Sequence, residues 1–567
     1  MRDSDIEMGN PYEHSAYNSS TNLGVRANLL PDSMESAMAS AMRKNERLTD
    51  KQRRKVVKIF IGILSFLVFV ILLLFFTTRD VEAKGRDASK AAHTGFYYDS
   101  GFNMQHNWGS YSPYFDSGSP FDGISRSSLD GELTLPNKCE LRQVHLLHRH
   151  GNRYPSGKTS SRMMKVARKL KHMSEPPTIE SLDWLEDWEY LLGEDLLVGS
   201  GVGAMFTSGA KFWGSHGRLL YGNESKELLT WSDDINVYPN GTARHKPLLR
   251  TTTQSRMQDS AKAWAAGFFG TYGNPSTGNN PLDHYDLLLI AEEEKSNNTL
   301  ASSLACPNYE AENAINGNLR SKAWVHKYLK DAATRIQSIL PGYDNITATE
   351  VLALQDICVF ETAAYGQSGF CGLFTEQEWR GYEYHLDLKF YGDSAWGTTV
   401  GPATGLSWVK ELHSRLTQTP IATPQFGVNV TLDSSSETFP LDQPFYADFT
   451  HDNIIITVLS ALQFQFTKPE LSSKKIKVPR QFIISRLTPF AARMYIEIMR
   501  CEEDKEFVRM KLNDRVLPIG ELRYCHEDED GLCPLQDFIK SVEWALNKID
   551  YDDICFGEHY HKPWEEL

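Results

Sequence analysis

The chain has 567 residues, of which 41% are hydrophobic and 11% aromatic, a composition typical of globular proteins. Its formal net charge of −14 is unevenly placed: residues 1–58 carry ten Lys/Arg and eight Asp/Glu, residues 59–78 carry none, and the remainder therefore carries −16. So acidic a body disfavours polyanions in general, which excludes nucleic acid as an expected partner. An anionic small molecule would need a locally basic pocket.

The N-terminal part predicts a membrane anchor. Residues 1–58 have no apolar period, which indicates a disordered cytosolic tail. The uncharged run Ile59–Thr78 follows, and a helix of this length spans about 30 Å, the thickness of the bilayer hydrocarbon. Its length and position argue against a cleaved signal peptide, and a buried core helix is the alternative. Eight Lys/Arg lie between residues 43 and 58, so the N-terminus is expected in the cytosol and the body outside the cell or in a lumen, as in a type II membrane protein.

Cysteines and glycosylation sequons support that topology. All eight cysteines follow the apolar run, and an even number there predicts four disulfides in an oxidising compartment. Five N-x-S/T sequons follow it too, whereas a sixth, at Asn18, should be cytosolic and silent. The cysteines are Cys139, Cys306, Cys358, Cys371, Cys501, Cys525, Cys533 and Cys555, and the predicted glycosylation sites are Asn223, Asn240, Asn297, Asn345 and Asn429.

The remaining chain predicts a stalk and one large folded domain. Residues 79–135, rich in Gly, Ser, Tyr and Asp, resemble a stalk that becomes an N-terminal wrap, and residues 136–567 form the domain. A largely helical block at about 160–380 between strand-containing ends predicts a helical insertion or cap on a core sheet. The predicted strands are Leu141–His148, Asp286–Ala291 and Pro444–Phe449, and the clearest predicted helices are Ser161–His172, Gln254–Phe268 and Ala311–Leu329.

The segment Arg149–Pro155 (RHGNRYP) is the most informative in the chain. It places His150 between two arginines at the end of a predicted strand, where open α/β sheets bind their ligands. A neutral imidazole can attack phosphorus, and the guanidinium groups of Arg149 and Arg153 can hold a phosphoryl group and disfavour protonation of the histidine. Gly151 permits a tight turn. A basic surface loop is the alternative interpretation.

A metal site at His145, His148 and His150 is a second alternative. Side chains alternate along a strand, so His148 and His150 would share a face that His145 does not. No cysteine, histidine or acidic cluster with metal-ligand spacing accompanies them. The sequence therefore predicts no metal.

Two later segments contain further candidates. Phe449–Asn453 (FTHDN) indicates a strand end before a helix, where Asp452 is a candidate general acid and His451 a candidate phosphate ligand. An aspartate at that position is often only a helix cap. In Pro247–Asp259, Arg250 precedes a predicted helix, and an arginine beside a helix N-terminus can bind an anion; a solvated arginine is the alternative.

These three segments, in this order, resemble the histidine acid phosphatases, most closely their fungal phytase and acid phosphatase branch. The resemblance runs from about Asn137 to the C-terminus and includes Ser296–Leu300 followed by Cys306, and Leu512–Val516. It implies an α/β fold, with a phosphoglycerate-mutase-like core sheet carrying helices on both faces and a smaller, mostly helical cap domain.

The resemblance also implies a site. His150 would be the nucleophile that forms a phosphohistidine, and Asp452 the proton donor. Phosphoryl-binding roles fall to Arg149, Arg153, Arg250 and His451. The implied disulfides are Cys139–Cys501, Cys306–Cys555, Cys358–Cys371 and Cys525–Cys533, a choice that spacing alone cannot make.

The implied reaction is a two-step hydrolysis of small-molecule phosphate monoesters with no cofactor and an acid optimum. Inositol hexakisphosphate and a broad range of monoesters are both open as substrates. Lys158 adds charge to the pocket rim or is an ordinary loop lysine. A non-catalytic surface receptor on the same fold is disfavoured because all six site residues are present. A cytosolic phosphoglycerate-mutase-like phosphotransferase is disfavoured by the cysteines and sequons.

Overall fold

The computed structural model describes residues 101–117, 121, 135–136, 138–222, 230–270, 283–313, 316–526 and 530–558. The chain divides into residues 1–90 and 91–567, and every described residue belongs to the second unit. The predicted tail, the predicted span Ile59–Thr78 and most of the predicted stalk lie outside the described residues. Among the helices that are described, none has the length and apolar character needed to cross a bilayer.

One mixed sheet organises the second unit, in the order β3-β2-β4-β1-β5-β6-β7, with β8 paired to β6. The first four strands of this order are parallel, and the others join antiparallel. Parallel strands end at one edge, so the residues that follow β1, β2, β3 and β4 converge there. The strands are β1 (Glu140–Arg149), β2 (Leu248–Thr252), β3 (Asp286–Ile290), β4 (Phe445–Thr450), β5 (Arg493–Arg500), β6 (Glu506–Leu512), β7 (Arg515–Val516) and β8 (Cys533–Pro534).

Ten longer helices surround this sheet in the described residues. They are α1 (Gly157–Lys171), α2 (Gly199–Phe212), α3 (Ser255–Phe269), α4 (Gly317–Tyr328), α5 (Lys330–Ile339), α6 (Ala348–Tyr365), α7 (Glu376–Ser394), α8 (Val400–Thr417), α9 (Asp452–Ala461) and α10 (Leu535–Lys548). Shorter helical segments are Met104–Asn107, Gly109–Tyr111, Glu180–Leu185, Trp213–Gly217, Arg218–Tyr221, Asp233–Ile235, Thr299–Ala305, Pro307–Asn313, Gly369–Leu373, Val430–Asp433, Gln465–Thr467, Ile484–Leu487, Glu502–Asp504, Ile519–Glu521 and Tyr551–Phe556.

Both faces of the sheet are apolar because its central strands are covered on both sides. All six residues of β4 are buried. Along β5, Met494 and Ile496 belong to the core shared with α8, α9 and α10, whereas Tyr495 belongs to the core shared with α2 and α3. Continuous apolar strands of this kind are typical of sheets with helices on both faces.

A third core forms the helical cap from α1, α5, α6 and α7, with Trp108 of the N-terminal segment inserted into it. Capping boxes define where two cap helices begin: Thr347 with Glu350 at α6, and Thr375 with Glu378 at α7. The predicted α/β fold with a helical cap is confirmed. The block at 160–380 is not all cap, however, because β2, β3, α2 and α3 belong to the sheet and its cover.

The predicted strands agree with β1, β3 and β4 to within one residue at each end. The predicted helix Ala311–Leu329 is instead two segments, Pro307–Asn313 and α4. Gly317 starts α4 where a Cβ would lie 2.3 Å from the Lys389 carbonyl oxygen, so this close approach to α7 requires glycine.

Four disulfides brace the unit. The pairs are Cys139–Cys501, Cys306–Cys555, Cys358–Cys371 and Cys525–Cys533, the pairing that the family resemblance implies. Of the sequons, Asn240, Asn297 and Asn345 are exposed, Asn429 is half-buried, and Asn223 lies outside the described residues. Their glycosylation stays a prediction.

Candidate active site

His150 lies directly after β1, and only 2% of its surface is exposed. Its Nδ1 is 2.9 Å from the carbonyl oxygen of Gly151. A carbonyl only accepts, so Nδ1 carries the proton and Nε2 keeps its lone pair. Burial holds the pKa of His150 well below its usual range, and Arg149, Arg153, Arg256 and His451 lower it further. The imidazole is therefore neutral and nucleophilic at acid pH.

Gly151 brings the start of α2 against this turn. A Cβ at Gly151 would lie 2.5 Å from the carbonyl oxygen of Gly201, and one at Gly201 would lie 2.1 Å from that of Asn152. Only glycine fits at both positions. The glycine of the RHG segment thus serves backbone packing, which presents His150 at the edge of the sheet.

Arg149 is completely buried and held on several sides. Its Nη1 donates to the carbonyl oxygens of Thr488, at 2.7 Å, and of Ser110, and its guanidinium carbon lies 4.6 Å from the centre of the Phe490 ring. Its Nη2 lies 2.7 Å from Oδ2 of Asp452. Burial lowers the pKa of Arg149 to about 10, against the raising effect of Asp452. The charge of Arg149 thus links the nucleophile's strand to the aspartate.

Two further arginines approach His150. Nη1 of Arg153 donates to the carbonyl oxygen of Tyr154 at 2.8 Å, and Nη1 of Arg256 lies 3.3 Å from Oδ1 of Asp195. The Nε–H groups of Arg149, Arg153 and Arg256 are buried and have no acceptor among the described residues. Buried donors of this kind favour an oxyanion, and a phosphoryl group supplies three.

The structure corrects the prediction for Arg250. This residue lies within β2, opposite Asp448 of β4, rather than at the start of a helix. Its Nε donates to Oδ1 of Asp448 at 2.7 Å, and its Nη2 donates to Oε2 of Glu411 at 2.5 Å. Its guanidinium is thus neutralised in the core below the site. Arg256, in the first turn of α3, has the position at a helix N-terminus that was predicted for Arg250.

His451 and Asp452 stand where β4 ends and α9 begins. Nε2 of His451 lies 3.0 Å from Oε1 of Glu292, and Nε2 of Gln254 donates to the same oxygen at 2.7 Å. The carboxylate accepts, so Nε2 of His451 carries a proton. Burial raises the pKa of Glu292, but the hydrogen bond and charge of His451, together with Thr252 and Arg256, outweigh it, and the net shift is downward. Glu292 therefore orients His451 as an ionised carboxylate.

Asp452 is a carboxylate in this arrangement. Burial raises its pKa, yet Arg149, Arg153, His451 and Lys389 lower it more, so that it falls below its ordinary value. Its Oδ1 also accepts from the backbone N–H of Asn453 at 3.0 Å. The predicted general acid is thus ionised before substrate binds.

Lys389 of α7 adds a fourth cation. Burial lowers the pKa of this lysine, but Tyr111, Asp393 and Asp452 raise it more, and the net shift is upward. The ammonium group therefore stays charged near Asp452. Lys158, by contrast, is exposed in the first turn of α1.

The histidines before the nucleophile have other partners. Nε2 of His145 lies 3.0 Å from Oε1 of Gln143, and Nε2 of His148 lies 2.7 Å from Oγ of Ser208. Within the described ranges, no three His, Cys, Asp or Glu side chains are placed to share a metal ion.

Comparison with known proteins shows the family to which this chain belongs. The sequence model of the histidine phosphatase superfamily (branch 2) matches residues 140–513. Phytase A from Aspergillus oryzae is 30% identical over 511 residues, which cover 88% of this chain and 100% of that protein. Phytase A from Emericella nidulans is 32% identical over 469 residues, covering 80% and 91%.

The chain belongs to the histidine phosphatase superfamily, branch 2. The phytase from D. castellii has the same fold, with a TM-score of 0.62 at 23% identity over 80% of this chain and 88% of that chain. A multiple inositol polyphosphate phosphatase from Bifidobacterium longum gives a TM-score of 0.52 at 12% identity, over 76% and 96%. At these identities the likeness shows the fold. Superfamily membership and the relatives make the chain a phosphoric monoester hydrolase.

Three residues that the structure brings to the candidate site were not predicted from the sequence: Arg256, Glu292 and Lys389. Arg256 and Glu292 follow the carboxyl ends of β2 and β3, so recognising these strands as parallel members of the sheet that contains β1 would have pointed to both residues. Lys389 lies within α7, a helix with many buried polar residues, and no local pattern marks it.

Proposed function

We propose that this phosphatase hydrolyses phosphate monoesters through a phosphohistidine formed at Nε2 of His150. The observation that carries the proposal is the neutral imidazole with its Nε2 lone pair, enclosed by three arginines that retain unpaired buried N–H groups. Such preorganised donors stabilise the charge that develops on a transferring phosphoryl group.

In the first step Nε2 of His150 attacks phosphorus and the bond to the ester oxygen breaks. The departing alkoxide needs a proton, and Asp452 is the residue placed to give it. In the second step water attacks the phosphohistidine, Asp452 removes its proton, and the imidazole departs with the restored lone pair. Inorganic phosphate leaves.

Asp452 acquires its proton together with the substrate. In the resting site the ion pair with Arg149, at 2.7 Å, keeps it ionised. A phosphate ester that enters brings negative charge to Arg149, and a nearby like charge raises the pKa of a carboxyl. A monoanionic ester also carries a proton that Asp452 can accept. Both effects favour acid pH, where His150 stays neutral because its pKa is so low.

Inositol hexakisphosphate is the proposed preferred substrate. The named relatives are phytases, and Lys389 adds a cation beyond the three arginines for a neighbouring phosphate. A broad acid phosphatase activity is the competing possibility. It predicts equal use of hexakisphosphate and simple aryl phosphates at acid pH.

The test is a substrate panel at pH 4–7 with the wild type and His150→Ala. We expect hydrolysis of inositol hexakisphosphate with a higher kcat/KM than p-nitrophenyl phosphate, and no turnover by His150→Ala. Rapid quenching with alkali should trap an acid-labile, base-stable phosphoryl group on the wild type only. Full turnover by His150→Ala would disprove the nucleophile, and a neutral optimum would disprove the protonation scheme. Chelator should leave the rate unchanged.

We propose further that Ile59–Thr78 anchors the enzyme with its catalytic unit outside the cytosol. The support is the uncharged length of that run, the basic residues before it, and the four disulfides after it. Extraction of membranes with alkaline carbonate should leave the full chain in the pellet. Protease added to sealed cells should release an active fragment, and release of the intact chain by carbonate would contradict the anchor.

A further inference from the structure

An exposed basic patch lies on α4 and the loop at residues 468–480 between α9 and β5. Its positive charge contrasts with the net charge of −16 on residues 79–567. The patch consists of six exposed side chains: Lys322, His326, Lys327, Lys474, Lys475 and Lys477.

The helix contributes one face of this patch. Lys322 and His326 are four residues apart and therefore neighbours on the helix surface, and Lys327 adjoins them. The opposite face of α4 is buried through Trp324 and Val325. Lys322, His326 and Lys327 are thus exposed on α4, whereas the fourth basic residue of the helix, Arg320, is buried.

The loop is held against this helix through its backbone. Nζ of Lys327 donates to the carbonyl oxygen of Lys474 at 2.5 Å, and the Tyr384 hydroxyl lies 2.9 Å from the carbonyl oxygen of Ser472 and 3.2 Å from that of Lys475. Because the backbone makes these contacts, the loop is ordered while its lysine side chains stay available. Lys322, Lys474 and Lys475 form no side-chain hydrogen bond or ion pair with the described part of the chain.

Few carboxylates neutralise the patch. The loop at residues 468–480 contains five Lys/Arg and one acidic residue, Glu470. That carboxylate lies 3.9 Å from Nη1 of Arg320, and Arg480 is itself paired with Glu383 and Asp387 of α7. The patch lysines therefore present uncompensated charge.

We propose that the basic patch binds an anionic polysaccharide, a sugar chain that carries sulfate or phosphate groups. The cations are lysine point charges spread along an open surface, which suits repeated charges on a polymer better than one bidentate ligand. Insertion into a membrane surface would need large apolar side chains, and the one strongly exposed apolar residue of the loop is Val478, at 82%. Stacking along a nucleic acid strand would need several aromatic side chains, and the patch contains no Phe, Tyr or Trp. This inference does not depend on the proposed substrate.

Lysine footprinting on the full chain in detergent tests the proposal directly. Lysines are acetylated with and without heparin as the sulfated probe, with inorganic phosphate present to occupy the phosphoryl site, and each lysine is quantified by mass spectrometry. We expect at least threefold protection of Lys322, Lys474 and Lys475, and none of Lys165, Lys262 and Lys548, exposed lysines on α1, α3 and α10. Protection confined to the basic residues 43–58, or spread evenly, would overturn the proposal.

A pair of charge-matched variants completes the test. Lys322→Gln/Lys474→Gln/Lys475→Gln should elute from heparin at pH 7 at a clearly lower salt concentration than Lys165→Gln/Lys262→Gln/Lys548→Gln. Residues 43–58 contribute equally to both proteins. Both variants should hydrolyse p-nitrophenyl phosphate at the wild-type rate, which confirms folding. Equal elution of the two variants would refute the patch, as would protection of its lysines by anionic phospholipid vesicles but not by heparin.

Discussion

Buried Arg149 and partly exposed Asp452 form an ion pair in which Nη2 and Oδ2 are 2.7 Å apart. The two residues come from neighbouring parallel strands, one at the last position of β1 and the other two positions after the end of β4. Because the same arginine directly precedes His150, the proposed nucleophile, the charge state of the aspartate should depend on any phosphate bound beside His150. A phosphate that binds to Arg149 should weaken the ion pair between Arg149 and Asp452.

Asp452→Asn should therefore slow hydrolysis most for esters whose leaving group needs a proton. An amide cannot give up a proton, so kcat for an alkyl phosphate should fall by roughly 10²–10⁴-fold. The p-nitrophenolate group leaves without help, so the loss with p-nitrophenyl phosphate should be at least tenfold smaller. Steady-state kinetics on both esters measures this, with Asp331→Asn, an exposed residue of α5, as the control. Equal losses on both substrates would assign Asp452 another role.

Substitutions of Arg256 and Arg250 should have different effects, the first on catalysis and the second on stability. Arg256→Gln removes a donor next to the phosphoryl group, and we expect roughly a 10²-fold loss in kcat/KM with little change in Tm. Arg250→Gln removes the cation that Asp448 and Glu411 share in the core and leaves Arg415 on Asp448, which should cost about 3–5 kcal/mol of unfolding free energy. Thermal melting and kinetics on both variants decide it. A stable Arg250→Gln protein with weakened phosphate binding would restore Arg250 to the site.

Lys389→Gln tests whether the site distinguishes substrates by their number of phosphate groups. The ammonium group is a fourth cation near Asp452, so a substrate with several phosphates should lose more from its removal than one with a single phosphate. We expect KM for inositol hexakisphosphate to rise by roughly tenfold, about 1.4 kcal/mol, with a smaller change for p-nitrophenyl phosphate. Lys158→Gln on the exposed start of α1 is the comparison. Identical changes with both substrates would place Lys389 at the reacting phosphate.

His385 should make the fold less stable in acid. Burial lowers its pKa to about 4, below the 6.5 of an exposed histidine. Between those values the unfolded chain binds the proton and the folded chain does not, so the unfolding free energy falls as pH falls from 6.5 towards 4. From pH 7 to pH 4.5 this residue should account for about 2 kcal/mol.

The variant His385→Asn isolates that effect. Its unfolding free energy, measured by urea denaturation, should change less than that of the wild type between pH 7 and pH 4.5. Asp393, whose pKa is raised to about 7 by burial, works in the opposite sense and is present in both proteins. Parallel pH dependence in wild type and variant would show that His385 does not titrate as described.

The candidate site residues that the sequence predicted lie in short segments directly after a recognisable strand. His150, Arg149 and Arg153 occupy one short segment after a recognisable strand, and His451-Asp452 follows another. Arg250 was misplaced because an apolar stretch before a helix resembles a helix entrance. In fact that stretch is β2, and its pairing with β4 puts the arginine beside Asp448. Strand pairing over nearly 200 residues is a tertiary property that a local pattern does not contain.

The fold class was predictable for a similar reason and its details were not. Hydrophobic runs mark the central strands, because burial on both faces demands them. The break before α4 depends on how closely Gly317 approaches α7, which the sequence of either helix alone does not reveal. The disulfide pairing came from family resemblance, since eight cysteines allow 105 pairings.

The carbonyl oxygen of Ser110 has a practical consequence for the limits of the enzyme. It accepts from Nη1 of Arg149, yet it lies thirty residues before the region that the superfamily shares. Trp108 inserts into the cap nearby, and the Tyr114 hydroxyl reaches Asp514 at 2.5 Å. The segment at residues 101–117 is thus part of the folded unit that contains His150. An active truncated form should therefore begin upstream of residue 101, because trimming to the shared region would remove a hydrogen-bond partner of Arg149 at the end of β1.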